Sequence, residues 1–394
     1  MSGNGDGEVN TGRLVARAPR ILHVITHLDM GGAENVALAL IDGLRDRVDF
    51  ALFAVMQDGS PGAVGRDMAA RLAAWRVPVR FGTRRGFKSG GVLIAARELA
   101  RAVDTFRPDL IHVHTEVPEL TLAVARLLSR RVRRTRVLRT VHNGVLWIDW
   151  DRIGRWVTRA LAAGEAVAVS EYAADADAMI AAGVARPRAT VIHNGIAPAK
   201  AAPVGRARGP VRVLFAGRLV HQKGADLLPT ILAEAHRRTE RREVSVTIAG
   251  SGVLRDVVAH GLDGGAVPGW TVTLTEPIGG LADRLPDYDV VLLPSRFEGF
   301  GLLHAEVLIA GVALVTTRAP GLTEVIPPDY PFQASPDDVT ALGAVLAGVI
   351  DDPDAARAIA GRHGAALAAR FSPDGMASAY LSRYRAAVEP GDRQ

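Results

Sequence analysis

The sequence predicts an α/β fold: two Rossmann-like domains facing each other across a cleft. Three observations carry that reading. Short, β-branched apolar runs alternate with helical patterns from residue 20 to residue 195. A proline- and glycine-rich break follows at 196–210, and a second alternating series then begins. In both series, glycine-containing loops sit where a strand hands over to a helix. Ligands of parallel sheets collect at that end of the strands.

Taken in order, ILHVIT (21–26), DFALFAV (49–55), VPVRF (77–81), LIHVHT (110–115), VLRTVH (137–142), AVAVS (166–170) and ATVIHN (189–194) read as strands. Helical patterns lie between them, such as AENVALALIDGLR at 33–45. This alternation gives a parallel sheet covered on both faces. Residues 196–210, IAPAKAAPVGRARGP, have no periodicity and read as the linker. The second domain, 211–372, takes VRVLFAG (211–217), VSVTIAG (244–250), TVTLT (271–275), VVLLP (290–294) and ALVTT (313–317) as strands. Helix is predicted over Ala341–Arg370 and Pro373–Ala387, the latter, in the closing segment 373–394, packing back across the domain boundary.

Composition narrows the function. Of 394 residues, 48% are hydrophobic and 23% charged, as in soluble globular proteins. With no cysteine, disulfides, thiolate metal sites and cysteine nucleophiles are excluded. The net charge of +5 comes almost wholly from arginine, since Lys88, Lys200 and Lys223 are the only lysines. Aromatic residues make up 5% and do not interleave with basic ones, so nucleic acid is not an expected partner. Residues 1–19 are polar and glycine-rich, read as a disordered tail, and no apolar run is long enough to span a bilayer. A cytoplasmic protein is the expectation.

The chemistry concentrates in Val290–Ile326. A buried strand, VVLLP, leads into the loop SRFEGFG, and a helix opens near Leu302. Glu298 lies in the loop and Glu306 two turns into the helix, on the order of 10 Å apart at the helical rise. Free N–H groups near Gly301, Leu302 and Leu303 lie between them and suit a diphosphate. One carboxylate for each end and an anion site in the middle fits a nucleotide-diphosphate sugar. FAGRLVHQKGADLL (215–228) adds Arg218 and Lys223 in a strand-to-helix loop, a forked donor and a mobile point charge suited to a diphosphate. HLDMGGAEN (27–35) places Gly31 and Gly32 at a first-domain helix start, where either close ligand approach or turn geometry alone accounts for them.

With these segments in view, the chain resembles retaining glycosyltransferases of family four, of GT-B fold. The resemblance rests on GGAE (31–34), TVHN (140–143), IHNGI (192–196), GRLVHQKG (217–224) and EGFGLLHAE (298–306), in the family's order across residues 20–390. It implies that Glu298 meets donor-sugar hydroxyls, Glu306 the nucleotide ribose, and Arg218 and Lys223 the diphosphate. It also implies that His142 contacts the donor sugar near the reaction centre. Asn143 stands where the family often has aspartate, and Ala313-Leu314 where it often has Pro-Val. The implied reaction is same-face attack through an oxocarbenium-like state. The departing phosphate oxygen takes the acceptor proton, while Arg218, Lys223 and helix N–H groups stabilise its charge. UDP is the first expectation for the nucleotide and GDP the second, carrying a hexose or N-acetylhexosamine; no separate cofactor or metal is expected.

Asp149-Trp150-Asp151 and Asp175-Ala176-Asp177 match a metal-binding DxD pattern but fall in or before helical stretches rather than at a strand end. His112 and His114 share one strand face, without a third clustered ligand in view. For the acceptor, Asp29, Glu116, Glu119, Asp149 and Asp151 are read as cleft-facing loop acids, and Asn143 joins the acceptor contacts. They suit a cationic aminocyclitol or aminosugar, such as an antibiotic precursor, although ordinary solvation also accounts for them. Arg66, Arg71, Arg76, Arg80, Arg84, Arg85 and Lys88, with the run Arg130–Arg139, would suit a phosphorylated or lipid-linked acceptor or an anionic membrane surface. A solvated face is the commoner explanation. Other classes are a nucleotide-sugar epimerase and a catalytically dead sugar-nucleotide sensor.

Overall fold

The computed structural model describes residues 17–29, 31–57, 62–86, 89–148, 150–197, 209–241, 243–263 and 267–388. Lys88, Asp149, most of the expected linker and the expected N-terminal tail up to residue 16 lie outside them.

The first domain runs β1 (Arg20–Ile25), α1 (Gly32–Leu44), β2 (Asp49–Met56), α2 (Ala63–Ala74), β3 (Val79–Thr83), α3 (Gly91–Phe106) and β4 (Leu110–His114). It continues with α4 (Glu116–Leu128), α5 (Arg130–Arg134), β5 (Arg136–Val141), α6 (Asp151–Ala160), β6 (Glu165–Ala168), α7 (Glu171–Ile180) and β7 (Thr190–Val191). Its seven strands pair in parallel in the order β3-β2-β1-β4-β5-β6-β7. Two strands differ from expectation. The third begins after Pro78, which has no N–H to pair and offers only its carbonyl, to Leu52 N–H at 2.9 Å. The seventh is cut to two residues because the chain leaves the sheet for the second domain, with Ile196 N–H donating to the Phe371 carbonyl at 2.8 Å.

The second domain runs β8 (Val211–Ala216), α8 (Leu228–Arg238), β9 (Val244–Ala249), α9 (Arg255–Asp263), β10 (Thr271–Thr275), α10 (Leu281–Arg284) and β11 (Val290–Leu293). There follow α11 (Leu302–Ile309), β12 (Ala313–Thr317), β13 (Gln333–Ala334), α12 (Val339–Asp351), α13 (Pro353–Arg370) and α14 (Pro373–Val388). The sheet order is β10-β9-β8-β11-β12-β13, all parallel, the doubly wound order of a dinucleotide fold. The single helix expected over 341–370 is two. Pro353 disfavours helical backbone before it, and the Asp352 carboxylate caps the second helix at Ala355 N–H, 3.1 Å away.

Each sheet buries both faces, which explains the near-continuous apolar strands. On one side of the first sheet, α1 contributes Val36, Ala37, Leu40, Ile41 and Leu44. The same cluster holds Met376, Ala377, Tyr380, Leu381, Tyr384 and Ala387 of α14, spaced along one helical stripe. The chain therefore crosses from the second domain back to the first, where α14 packs against β1 and β4. Gly195 and Ile196 lie beside this return crossing, and a second apolar cluster joins Val141, Ala168 and Val169 to Leu293 and Phe300 of the other domain.

Candidate active site

The carboxyl ends of both sheets meet at the cleft. In the second domain, two loops are bolted together. Arg296 donates to both Asp226 oxygens at 2.7 Å, to Asp337 at 2.7 Å and to the His221 carbonyl. Gln222 donates to the Phe297 carbonyl at 3.2 Å and accepts from Arg218 at 3.0 Å. Within this frame Lys223 Nζ reaches both Glu298 oxygens, at 2.7 and 2.8 Å, and Ser295 Oγ donates to Oε1 at 2.7 Å. Burial would raise the Glu298 carboxyl, but Lys223, His304 and the Ser295 hydroxyl together overcome it and hold Glu298 below its ordinary value.

Gly301 ends the loop at φ +84° and precedes α11, a left-handed conformation that favours glycine. No side chain caps α11, so its first N–H groups remain available to an anion. Glu306 is the fifth residue of α11, little more than one turn in rather than the two expected. Its carboxylate makes no hydrogen bond or ion pair among the described residues, and burial raises it.

The first domain closes over this loop. Gly299 lies so near the His142 carbonyl that a Cβ there would come within 1.7 Å of it. Ser170 donates to the Gly299 carbonyl, and a side chain at Gly32 would stand 3.6 Å from Leu302. Glu34 and Glu116 are both raised by burial, and in each the positive charge of Arg218, across the cleft, acts in the opposite sense. Asn143 donates to Glu116 at 3.2 and 3.4 Å. Thus His142, Asn143, Glu116, Gly31, Gly32, Arg218, Lys223, Glu298, Gly301 and Glu306 gather at one opening.

Glu119 does not join them. It is 3% exposed and sits under α4, where it accepts from Arg139 at 3.0 and 3.2 Å. Arg139 also reaches Asp177 at 3.1 Å, and Arg186 donates to Asp177 at 2.7 Å. Almost a turn beyond Glu116 on nearly the same helix face, Glu119 lies where β5 and α7 cover it, so it is a core ion-pair partner and not an acceptor ligand. The same cluster removes Asp177 from the DxD reading and Arg139 from the basic run. Asp151 pairs with Arg155 at the surface, while Asp29 stands half-buried at the end of β1. Arg66 to Arg85 of the proposed strip are exposed, and α5 leads into the amino end of β5, opposite the carboxyl end that faces the cleft.

The structure adds residues that the sequence did not single out. Ser295 and Gln222 orient Glu298 and Arg218, as shown above. Glu34, inside the quoted GGAE, folds back under Gly31. Glu324 bridges the domains, accepting from Glu171 N–H at 2.8 Å and lying 2.6 Å from His193. His112 and His114 do have a third neighbour: His23 brings three imidazoles together with ring nitrogens within 4.8 Å. His112 uses both nitrogens on hydrogen bonds, to Tyr384 at 2.8 Å and to Thr140 at 2.7 Å.

Residues 30–200 match the family described as Glycosyltransferase Family 4, and residues 210–352 match Glycosyl transferases group 1. Over 311 residues the chain is 29% identical to glycogen synthase of Mycobacterium tuberculosis, spanning 74% of this chain and 71% of that enzyme. It is 34% identical over 248 residues to D-inositol 3-phosphate glycosyltransferase of an Arthrobacter species, spanning 60% and 58%. Its fold follows Anabaena HepE, solved with UDP and glucose, at TM-score 0.74 and 18% identity, covering 93% of this chain and 100% of that one. Sucrose-phosphate synthase of Thermosynechococcus elongatus gives TM-score 0.73 at 18% identity, covering 93% and 98%. At those identities the likeness concerns the fold, which is the two-domain GT-B arrangement expected from the sequence.

Proposed function

We propose that this chain, whose two halves match glycosyltransferase family models and whose fold is GT-B, transfers a hexose or N-acetylhexosamine with retention. The donor is a nucleotide-diphosphate sugar, UDP-linked first, and the acceptor is a hydroxyl of a small polyol. The observation that carries this reading is the Lys223–Glu298 pair, set beside the uncapped start of α11 and one turn from the unpaired Glu306.

Each group has a chemical task. Glu306, half-buried and short of donors, suits the two hydroxyls of a ribose. The N–H groups of α11, Lys223 and Arg218 balance the charge of a diphosphate and the further charge that develops as it departs. Glu298, kept ionised by Lys223, accepts hydrogen bonds from sugar hydroxyls. His142, against Gly299, lies beside the anomeric carbon of a sugar so placed. The acceptor hydroxyl then attacks from the face the phosphate leaves and gives its proton to the departing phosphate oxygen. This reading needs no cofactor.

On the acceptor side, Glu116, Glu34 and Asp29 keep the first-domain wall acidic, which supports a cationic polyol such as an aminocyclitol. A phosphorylated cyclitol is the second reading, favoured by the similarity to D-inositol 3-phosphate glycosyltransferase.

Proton NMR of the product anomeric centre tests the reaction. An α-linked donor yields an α-glycoside if the reading holds, and a β-glycoside refutes retention. A second sugar nucleotide formed without acceptor would instead identify an epimerase.

A further inference from the structure

Behind His142 lies a chain of buried polar groups that the proposed reaction does not use. His142 Nε2 is 3.0 Å from His114 Nδ1, and His114 Nε2 is 2.9 Å from His23 Nδ1. His23 Nε2 is 3.3 Å from the Tyr384 hydroxyl, which also meets His112 Nδ1 at 2.8 Å. His112 Nε2 meets Thr140 Oγ1 at 2.7 Å, and Thr140 meets the Tyr380 hydroxyl at 3.0 Å. Six hydrogen bonds thus join the carboxyl end of β5 to two tyrosines one turn apart on α14.

Hydrogen-bond bookkeeping gives this chain a direction. Burial lowers His23 and His142 to about 3 and holds His112 and His114 well below the ordinary value, so all four imidazoles are neutral. A neutral imidazole donates from one nitrogen and accepts at the other, so with every hydroxyl proton also used the chain runs as a whole, in one of two polarities. Running outward, Tyr380 donates to Thr140, and every later member passes one proton on. His114 Nδ1–H then donates to His142 Nε2. Running inward, Tyr380 must accept from Thr140, and its own buried hydroxyl proton has no acceptor among the described residues. A buried donor left unmade disfavours that direction by roughly tenfold or more.

We propose that this chain is a positioning relay, in which Tyr380 and Tyr384 of the returning helix hold His142 in the tautomer protonated on Nδ1. That N–H is the group His142 offers at the cleft, as a hydrogen-bond donor and not a base. The catalytic consequence rests on the proposed role of His142 at the donor sugar; the tautomer itself does not. The crossing of α14 is thereby tied to the reacting end of the first domain. Both nitrogens of His112 are engaged, so the three clustered histidines are links of the relay and not a metal site.

The test is long-range proton–nitrogen correlation NMR of the full chain labelled with ¹⁵N-histidine. His142 is assigned by comparison with His142→Gln. The wild type should show His142 as a single tautomer protonated on Nδ1. Tyr384→Phe cuts the relay and should leave His142 as a mixture of tautomers, with kcat down about tenfold and donor KM within about twofold. Tyr380→Phe leaves Thr140 as the terminal hydroxyl, whose buried proton is again satisfied only by the outward direction, and should keep His142 protonated on Nδ1; a mixture there would overturn the bookkeeping. Tyr330→Phe removes a buried hydroxyl in the second domain, bonded to Leu314, and should leave His142 unchanged. An Nε2-protonated His142 in the wild type overturns the relay, as does an unchanged tautomer in Tyr384→Phe or a stoichiometric metal ion on His23, His112 and His114. Mixed tautomers with unchanged kcat would overturn the catalytic consequence. Absence of glycosyl transfer in the wild type, with the tautomer results as expected, would sink the proposed function alone.

Discussion

Replacing Lys223 by alanine removes the cation that touches Glu298 and strands a carboxylate that is 6% exposed. Breaking a buried pair in this way costs about 3–5 kcal/mol; the Lys223 side chain is 26% exposed, which argues for about 3. The variant can escape by protonating Glu298, and this caps the penalty. From the unperturbed value of 4.5, neutralising the group costs about 1.36 kcal/mol per pH unit, hence about 4 kcal/mol at pH 7.5 and below about 1 at pH 5. The signs follow. In the wild type the lowered Glu298 contributes stability that is present above its unfolded value and is lost as pH falls through the folded value. In the variant, burial is opposed only by His304 and the Ser295 hydroxyl and raises the folded value, so the penalty grows as pH rises above 4.5. Thermal unfolding should therefore fall by about 6–12 °C at pH 7.5 and by about 2 °C at pH 5. Lys223→Ala with Glu298→Gln should recover most of the loss, because no buried charge remains. A loss of equal size at both pH values, or no recovery in the double variant, would refute the reasoning.

Three further outcomes follow from the same geometry. Glu298→Gln should lower kcat by about 10²-fold while UDP affinity by calorimetry changes less than about threefold, because its task is at the sugar and not the nucleotide. Glu306→Gln should weaken UDP binding by roughly tenfold or more. Because burial raises Glu306, wild-type UDP affinity should decline with falling pH earlier than an ordinary carboxylate would dictate, and the variant should lose that dependence. Arg139→Met leaves Glu119 buried without a partner and should cost about 3–5 kcal/mol in urea unfolding.

What could be read from the sequence was what is local. Strand, glycine loop and helix at 290–309 are consecutive, so the placing of Glu298, Gly301 and Glu306 follows from chain geometry alone. Arg218 and Lys223 are likewise fixed by one strand-to-helix turn. Glu119 differs from the expectation because Glu116 and Glu119 share a helix face, and only depth along it separates a cleft acid from a core acid. Its partner Arg139 lies on another strand, with nothing local to announce it. The histidine relay was hidden for a similar reason. His23 and His112 are directly paired across β1 and β4, and that register exists only once the strand order is known. A usable signal was present, since ILHVIT and LIHVHT both carry histidine third from the start and a doubly wound order places those two strands side by side. Tyr380 and Tyr384, more than two hundred residues away in sequence, reach the relay only through the return of α14 to the first domain.

The central claim is that the cleft binds a nucleotide-diphosphate sugar between Arg218, Lys223 and the start of α11. A crystal structure of the chain with UDP tests it most directly. The account predicts the diphosphate within hydrogen-bond distance of Arg218, Lys223 and the first N–H groups of α11, with the ribose on Glu306. Nucleotide bound outside the cleft, or touching neither Arg218 nor Lys223, would contradict it.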